Sequence, residues 1–332
     1  MVLSKTFSEN KIETSKIIED VIGKNVYEKY YDKWIQNFSL NLHNIWEGKS
    51  AKELAMGDNN SQNSAIVIGR GPSLIKNNHL ELLAKSNFKG VILCTDAILK
   101  TVLESGVTPN KFDKFFVVSI DSQDHQKKFY EDDLVLKYGK KIKCILSTTI
   151  SPITYEAAKK TGMEVFWLHT LFDYNKGKSS FNYISAVMTR TKNHKNGLPA
   201  IQTGGNVATS SWVIGWSIFK CSQIALIGVD HSFSPETKLK EIGDYHPSSK
   251  AAFDYDKESD LFKKAFPKIY NPDFNCYCIQ DPISQYYSTA LKEFIFKTSD
   301  KIKTINATEG GAIFGEGIVC MTFKDFLQQH NL

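Results

Sequence analysis

The sequence predicts an α/β protein, a mostly parallel sheet with helices on both faces and a helical N-terminal cap. Three observations carry that expectation. From residue 65 onward, short apolar runs alternate with helix-length stretches, the rhythm of parallel strands joined by crossover helices. The runs are continuously apolar, as in strands covered on both faces. The first 60 residues are polar, with apolar positions near the helical period. A length of 332 residues allows one large or two modest domains. The expected division is a cap over 1–60 and an α/β domain over 61–332.

In the cap, Ile18, Val21, Ile22, Val26, Tyr30, Trp34, Phe38 and Leu42 recur at helical spacing, and the polar stretch 57–64 reads as the closing loop. Strands are expected at 65–68, 91–94, 115–120, 143–146, 165–168 and 224–229. Two polar insertions, near 173–199 and 234–270, follow strand ends, where open sheets hold their ligands. An amphipathic helix is expected over 286–296, and a strand running from Thr304 into the turn at Gly310 and Gly311.

Composition narrows the function. Hydrophobic residues at 42% and charged residues at 23% exclude disorder and a disulfide scaffold. The net charge of +5, from 41 basic and 36 acidic residues, suits a modest anion but is too scattered for a nucleic-acid footprint. No apolar run approaches the roughly 18 residues of a membrane span, and the charged N-terminus is unlike a signal core, so a cytoplasmic location is expected. Cys94, Cys144 and Cys221 lie in or against strand-like runs and should be buried and reduced. Cys276-Tyr277-Cys278 lacks the two-residue spacer of zinc sites.

The sharpest motif is Gly69-Arg70-Gly71-Pro72-Ser73-Leu74, directly after an apolar strand. Backbone N–H groups there could cradle a phosphate, with Pro72 at a helix start and the Ser73 hydroxyl beside them. The same residues also suit a tight strand-to-helix turn. A second junction, Thr203-Gly204-Gly205-Asn206, opens a helix, and its Thr and Asn side chains could bind a ligand or simply cap it. Carboxylates stand where apolar runs end: Asp96 after Thr95, Asp121 after Ile120 and Asp230 after Val229. In a parallel sheet these ends share one edge, where acids can hold a cation, bond a sugar or base, or cap a helix. His231 and His169 also follow apolar runs and are candidates for a general acid or base. Asn306, Thr308 and Glu309 would join the same rim.

Taken in order, Gly69 to Leu74, Asp121, Gly204-Gly205-Asn206-Val207-Ala208, Gly228-Val229-Asp230 and Thr308-Glu309-Gly310-Gly311-Ala312 resemble the MptE-like family. That family is named for an archaeal 6-hydroxymethylpterin pyrophosphokinase and includes the central domain of the motility-associated-factor glycosyltransferases. The resemblance covers about 65–315 and implies a Rossmann-like α/β transferase. Its pyrophosphokinases carry a His-Ala-His-Gly-Asp-Asn stretch without a counterpart here, so the resemblance favours the glycosyltransferases, whose core is similar to sialyltransferases using CMP-sugars.

In that reading a nucleotide donor of the CMP-sugar type binds Gly69, Gly71, Pro72, Ser73 and Thr203 to Asn206, and passes its sugar to an acceptor. His231, with Asp230 or His169 in reserve, deprotonates the acceptor hydroxyl. In the alternative, a pyrophosphokinase, Asp121 and Asp230 hold Mg2+ on ATP and a pterin lies near Thr95 and Asp96. A non-catalytic nucleotide-binding protein would need only the glycine turns.

Overall fold

The computed structural model describes residues 28–55, 63–172, 177–190 and 197–330. In chain order the strands are β1 (Lys49–Ser50), β2 (Ser64–Ile68), β3 (Val91–Thr95), β4 (Phe115–Ser119), β5 (Lys143–Ser147), β6 (Glu164–Thr170), β7 (Ala200–Ile201), β8 (Gln223–Ile227), β9 (Lys268–Asn271), β10 (Cys276–Ile279), β11 (Lys303–Asn306) and β12 (Ile318–Cys320). Ten of them form one sheet in the order β1-β6-β5-β4-β3-β2-β8-β11-β12, with β7 beside β6. Its pairings are parallel. β9 and β10 form a separate antiparallel hairpin. The fold is the Rossmann-like α/β architecture the sequence predicts.

Burial explains the unbroken apolar runs. Ile66, Ile68, Ile92, Cys94, Ala225 and Ile227 point into one core. Their neighbours Ala65, Val67, Val91, Leu93, Ile224 and Leu226 point into the other. Side chains alternate between faces along a strand, so burial of both faces requires an apolar residue at every position. Helices Glu28–Glu47, His79–Lys85 and Pro152–Lys160 cover the first face, through residues such as Phe38, Leu80 and Tyr155. Val207–Ser217 and Pro282–Thr298 cover the second, through Trp212, Ile214, Leu291 and Ile295.

The first described helix, Glu28–Glu47, contains Tyr30, Trp34, Phe38 and Leu42; Ile18 to Val26 lie outside the described residues. It is bolted to the sheet by two buried amides. Asn37 Nδ2 donates to the carbonyls of Ser122 and Thr149, both at 3.0 Å, and Asn41 Nδ2 to that of Ile150 at 2.8 Å. Immediately after it, β1 adds an edge strand beside β6. Helix and strand from the N-terminal segment are therefore built into the α/β layers.

The insertions fold more than their polarity suggests. In 173–199 the described part forms the helix Phe181–Met188. In 234–270 the helices Leu239–Tyr245 and Asp260–Ala265 close over a small core of Ile242, Ala252, Ala265 and Phe266. A few spaced apolar residues suffice because the bridge between Phe233 and Ile279 ties this unit to the hairpin. Among the described residues no helix is long and apolar enough to cross a membrane.

The sheet reverses its order of growth at β2. Strands β3 to β6 add on one side and β8 returns on the other, which makes the β2/β8 boundary the topological switch point where such sheets open a crevice.

Candidate functional site

At that boundary the two glycine motifs interlock. The N–H of Gly69 donates to Ile227 O at 2.9 Å and that of Gly71 to Gly228 O at 2.7 Å. A Cβ at Gly69 would strike the Gly228 carbonyl, and one at Gly228 the Gly69 carbonyl. A Cβ at Gly71 would overlap the Asp230 carboxylate. That carboxylate accepts from Ser73 Oγ at 2.9 Å and from the Ser73 N–H at 3.3 Å. Burial pushes it up to about 6, partly offset by the Ser73 bonds.

This corrects the reading of Gly69, Gly71, Pro72 and Ser73 as a phosphate cradle. The N–H groups of Gly69, Gly71 and Ser73 are satisfied by Ile227, Gly228 and Asp230 at and just beyond the end of β8, and Pro72 has none. Asp230 fills the turn instead of facing a ligand.

The β11 turn closes the same joint. Asn306 Nδ2 donates to Gly310 O and Ile313 O, while its Oδ1 accepts from the Thr308 N–H at 2.8 Å. The Ala312 N–H reaches Asp230 O at 2.9 Å, and Thr308 Oγ donates to Leu226 O at 3.3 Å. Glu309 sits at φ +60. Its Oε1 accepts from the Phe323 N–H, capping the last helix, and lies 3.3 Å from buried His79 Nε2. Thr308 and Glu309 thus hold β11 and the C-terminal helix in place; they do not line an open rim.

The two expected bases also change standing. His169 is the next-to-last residue of β6, four strands from β2, roughly 19 Å at the usual strand spacing. Its ring is bonded to Thr148 Oγ1 at 2.7 Å and Ser185 Oγ at 3.1 Å, and burial pushes it down to about 4. It is a satisfied core histidine. His231 adopts φ +44 and packs 5.9 Å from Tyr287. Its Nδ1 is buried without a partner. Burial first, then the charges of His246 and Lys292, push it down to about 3. A base that weak takes a proton poorly at neutral pH.

Along β3 and β4, Thr95 is buried and Asp96 accepts from Ser119 Oγ and from the Ala97 N–H. Burial raises Asp96 to about 6; Asp121 adds to the rise and Arg70 opposes it. Asp121 accepts from the Gln123 N–H at 3.0 Å and Gln126 Nε2 at 2.6 Å. Asp121 and Asp230 therefore do not fit a magnesium pair, since the Asp121 carboxylate already bonds its own loop and the Asp230 carboxylate already bonds the Ser73 turn. Among the described residues no group of three or more His, Cys, Asp or Glu is placed to hold a metal.

What the strand ends present to solvent is a different set. Gly204 and Gly205, at φ +57 and +85, turn the chain into the Val207–Ser217 helix. Asn206 Oδ1 caps it through the Thr209 N–H at 2.9 Å, and Thr203 Oγ1 accepts from Gly205. Only glycine fits at 205, because a Cβ would meet the rings of Tyr286 and Tyr287. Tyr287 lies 5.8 Å from His246, which lies 4.8 Å from Tyr245. The Arg70 guanidinium stacks 4.5 Å over Tyr245. It is exposed, with no carboxylate in ion-pair range among the described residues. One continuous rim thus runs from Arg70 through three rings to Gly205.

Within this rim His246 Nδ1 donates to Asp281 Oδ2 at 3.1 Å. Burial alone would raise Asp281, but bonds from His246, Ser249 and the Ser284 N–H hold it below its usual range. The acceptor carboxylate fixes the tautomer, leaving His246 Nε2 as a base. Burial first, then the charges of Asp281 and Asp121, push the Tyr287 hydroxyl above its usual range. Surface depressions of about 320 Å³, at Lys127 and Lys160, and about 460 Å³, at Asp300 and Val319, lie away from this rim.

Fold and rim define an α/β protein with its candidate site at the strand ends of a doubly wound sheet. A family model described as 6-hydroxymethylpterin diphosphokinase MptE-like matches residues 36–236, more than half of the chain, and the chain belongs to the MptE-like family. The match takes in the N-terminal helix from residue 36 onward, which the motif resemblance left outside, and stops before His246. Among solved structures, the MAf glycosyltransferase from Magnetospirillum magneticum AMB-1 has a similar fold. The TM-score is 0.54 at 15% identity, over 85% of this chain and 39% of that one, so the chain spans well under half of that structure. No curated protein matches significantly.

Two outcomes follow from the joint and the buried acids. Gly71→Ala should cost about 1–3 kcal/mol by overpacking against Asp230, read as a lower urea midpoint, and the loss should shrink in an Asp230→Ala background. Equal losses in both backgrounds would show that the two residues do not compete for this space. Asp96 titrates near 6 in the folded chain against an ordinary 3.8. The folded state therefore holds a proton that the unfolded state releases, and this stability is full below about pH 4 and lost as pH rises through 6. Asp96→Asn should gain about 2–3 kcal/mol relative to wild type between pH 4 and pH 7. A stability difference independent of pH in chemical denaturation would contradict that assignment.

Proposed function

We propose that the chain is a transferase that binds a nucleotide-activated sugar, of the CMP-sugar type, along the strand-end rim and passes the sugar to an acceptor hydroxyl. The observation that carries this reading is the pairing of an exposed cation, Arg70, with a glycine-opened helix end on one aromatic rim. A departing nucleotide phosphate needs such charge and N–H dipoles, and aromatic rings suit a base or sugar face. The glycosyltransferase named in the structural comparison supports the same chemistry.

His246 is the base in this scheme. Its Nε2 takes the acceptor proton as the acceptor oxygen bonds the anomeric carbon, and the bond to the nucleotide phosphate breaks with its electrons leaving on that phosphate. Asp281 holds the Nδ1–H and steadies the imidazolium. His246 takes the role that the sequence assigned to His231, Asp230 or His169. The description of the family model favours a second reading, diphosphoryl transfer from ATP with Mg2+ to a pterin. The donor set offered by Asp121 and Asp230 does not support it.

A thermal-shift panel of CMP, CDP, UDP, GDP and ATP, each in Mg2+ and in EDTA, separates these readings. CMP should stabilise the protein in EDTA, by about 2.7 kcal/mol at a hundredfold excess over Kd, and Arg70→Ala should abolish the shift. His246→Ala should keep the shift while cutting release of CMP from a CMP-sugar by about 100- to 10,000-fold. Stabilisation by ATP alone, and only with Mg2+, would favour the diphosphokinase; no shift with any nucleotide would overturn both.

A further inference from the structure

The helix Phe181–Met188 is apolar on two faces. Its inner face is accounted for: Phe181 packs 5.3 Å from Phe38 and 5.6 Å from Phe172, and Ser185 bonds His169. Its outer face carries Tyr183, Ile184, Val187 and Met188, all exposed. They are spaced i, i+1, i+4 and i+5, so they form one stripe. Trp46 extends the stripe; its Nε1 donates to Met188 O at 2.8 Å while its ring remains 39% exposed. A contiguous surface of this kind marks a binding face.

In sequence, the segment that carries the helix is basic. Residues 173–199 hold Lys176, Lys178, Arg190, Lys192 and Lys195 against Asp173 alone, so five minus one gives +4 of the chain's formal +5. At the two ends of the helix, Lys178 and Arg190 are exposed, with no carboxylate in ion-pair range among the described residues.

We propose that this face seats the protein on an anionic lipid surface. Aliphatic side chains flanked by Trp and Tyr, with a cation at each end of the helix, form the arrangement by which a helix lies in a membrane interface, its apolar side among the acyl chains and its cations at the headgroups. A second copy of this chain fits less well, because it would bring Lys178 and Arg190 against the same cations. The stripe stands at the strand-end side of β6, the same side as the rim, so a seated protein keeps its site near the lipid surface. The proposal does not depend on which group the rim transfers.

Sedimentation with vesicles tests it. Wild type should bind phosphatidylcholine vesicles containing about 30 mol% phosphatidylserine at least about tenfold more tightly than phosphatidylcholine alone, and lose that gain at high salt. Ile184→Asp/Val187→Asp, and separately Lys178→Glu/Arg190→Glu, should each weaken binding by about tenfold or more with Tm unchanged. Both pairs are solvent-facing, so folding should survive at least one of them. Failure to bind anionic vesicles, or equal binding by wild type and folded variants, would overturn the proposal. So would a dimer seen by light scattering without vesicle binding and lost in Ile184→Asp/Val187→Asp, which assigns the face to a second copy.

Discussion

The architecture turns on one buried carboxylate. Asp230 sits at the switch point of the sheet and bonds Ser73 through both oxygens, while its carbonyl takes the Ala312 N–H. Those contacts join β2, β8 and β11 at their ligand-facing ends. They require that no side chain stand at Gly71, where the carboxylate lies, or at Gly69 and Gly228, where two backbones touch. Removing the charge from water is costly, and the compensation is hydrogen bonding inside the turn. Three glycine motifs far apart in sequence are thus parts of a single joint.

That joint displaces the functional edge outward. With the N–H groups of the first turn satisfied internally, the proposed anion would meet Arg70, whose exposed side chain leaves the joint, and the glycine-opened helix end beyond Tyr287. The 234–270 insertion supplies Tyr245 and His246, and the start of the Pro282–Thr298 helix supplies Asp281 and the tyrosines. The chain belongs to the MptE-like family, and its fold is similar to that of a glycosyltransferase.

Strands were legible in the sequence because burial on both faces leaves an unbroken apolar run, and the expected bounds for β2 to β6 fall within one or two residues of the observed ones. The helix end at Gly204 to Asn206 was legible as a cap for a similar local reason. The site was not. Whether the Gly69 turn faces a ligand or a carboxylate depends on what sits beside it, and the filler, Asp230, comes 157 residues after Ser73. His246 and Asp281, 35 residues apart, pair only because a small separate core folds the insertion back. His169 lies near the end of β6 and His231 just beyond β8, yet local sequence does not reveal that Ser185 satisfies the first ring or that burial strips the second of basicity. Arg70 carried a visible signal, an arginine between two glycines at a strand end.

Hydrogen–deuterium exchange with and without CMP tests the location of the ligand most directly. Exchange should slow over 203–210 and 243–250 and change little over 306–312, where the backbone already serves the Asp230 joint. Protection concentrated in 306–312, or confined to segments remote from Arg70 and Gly205, would contradict it.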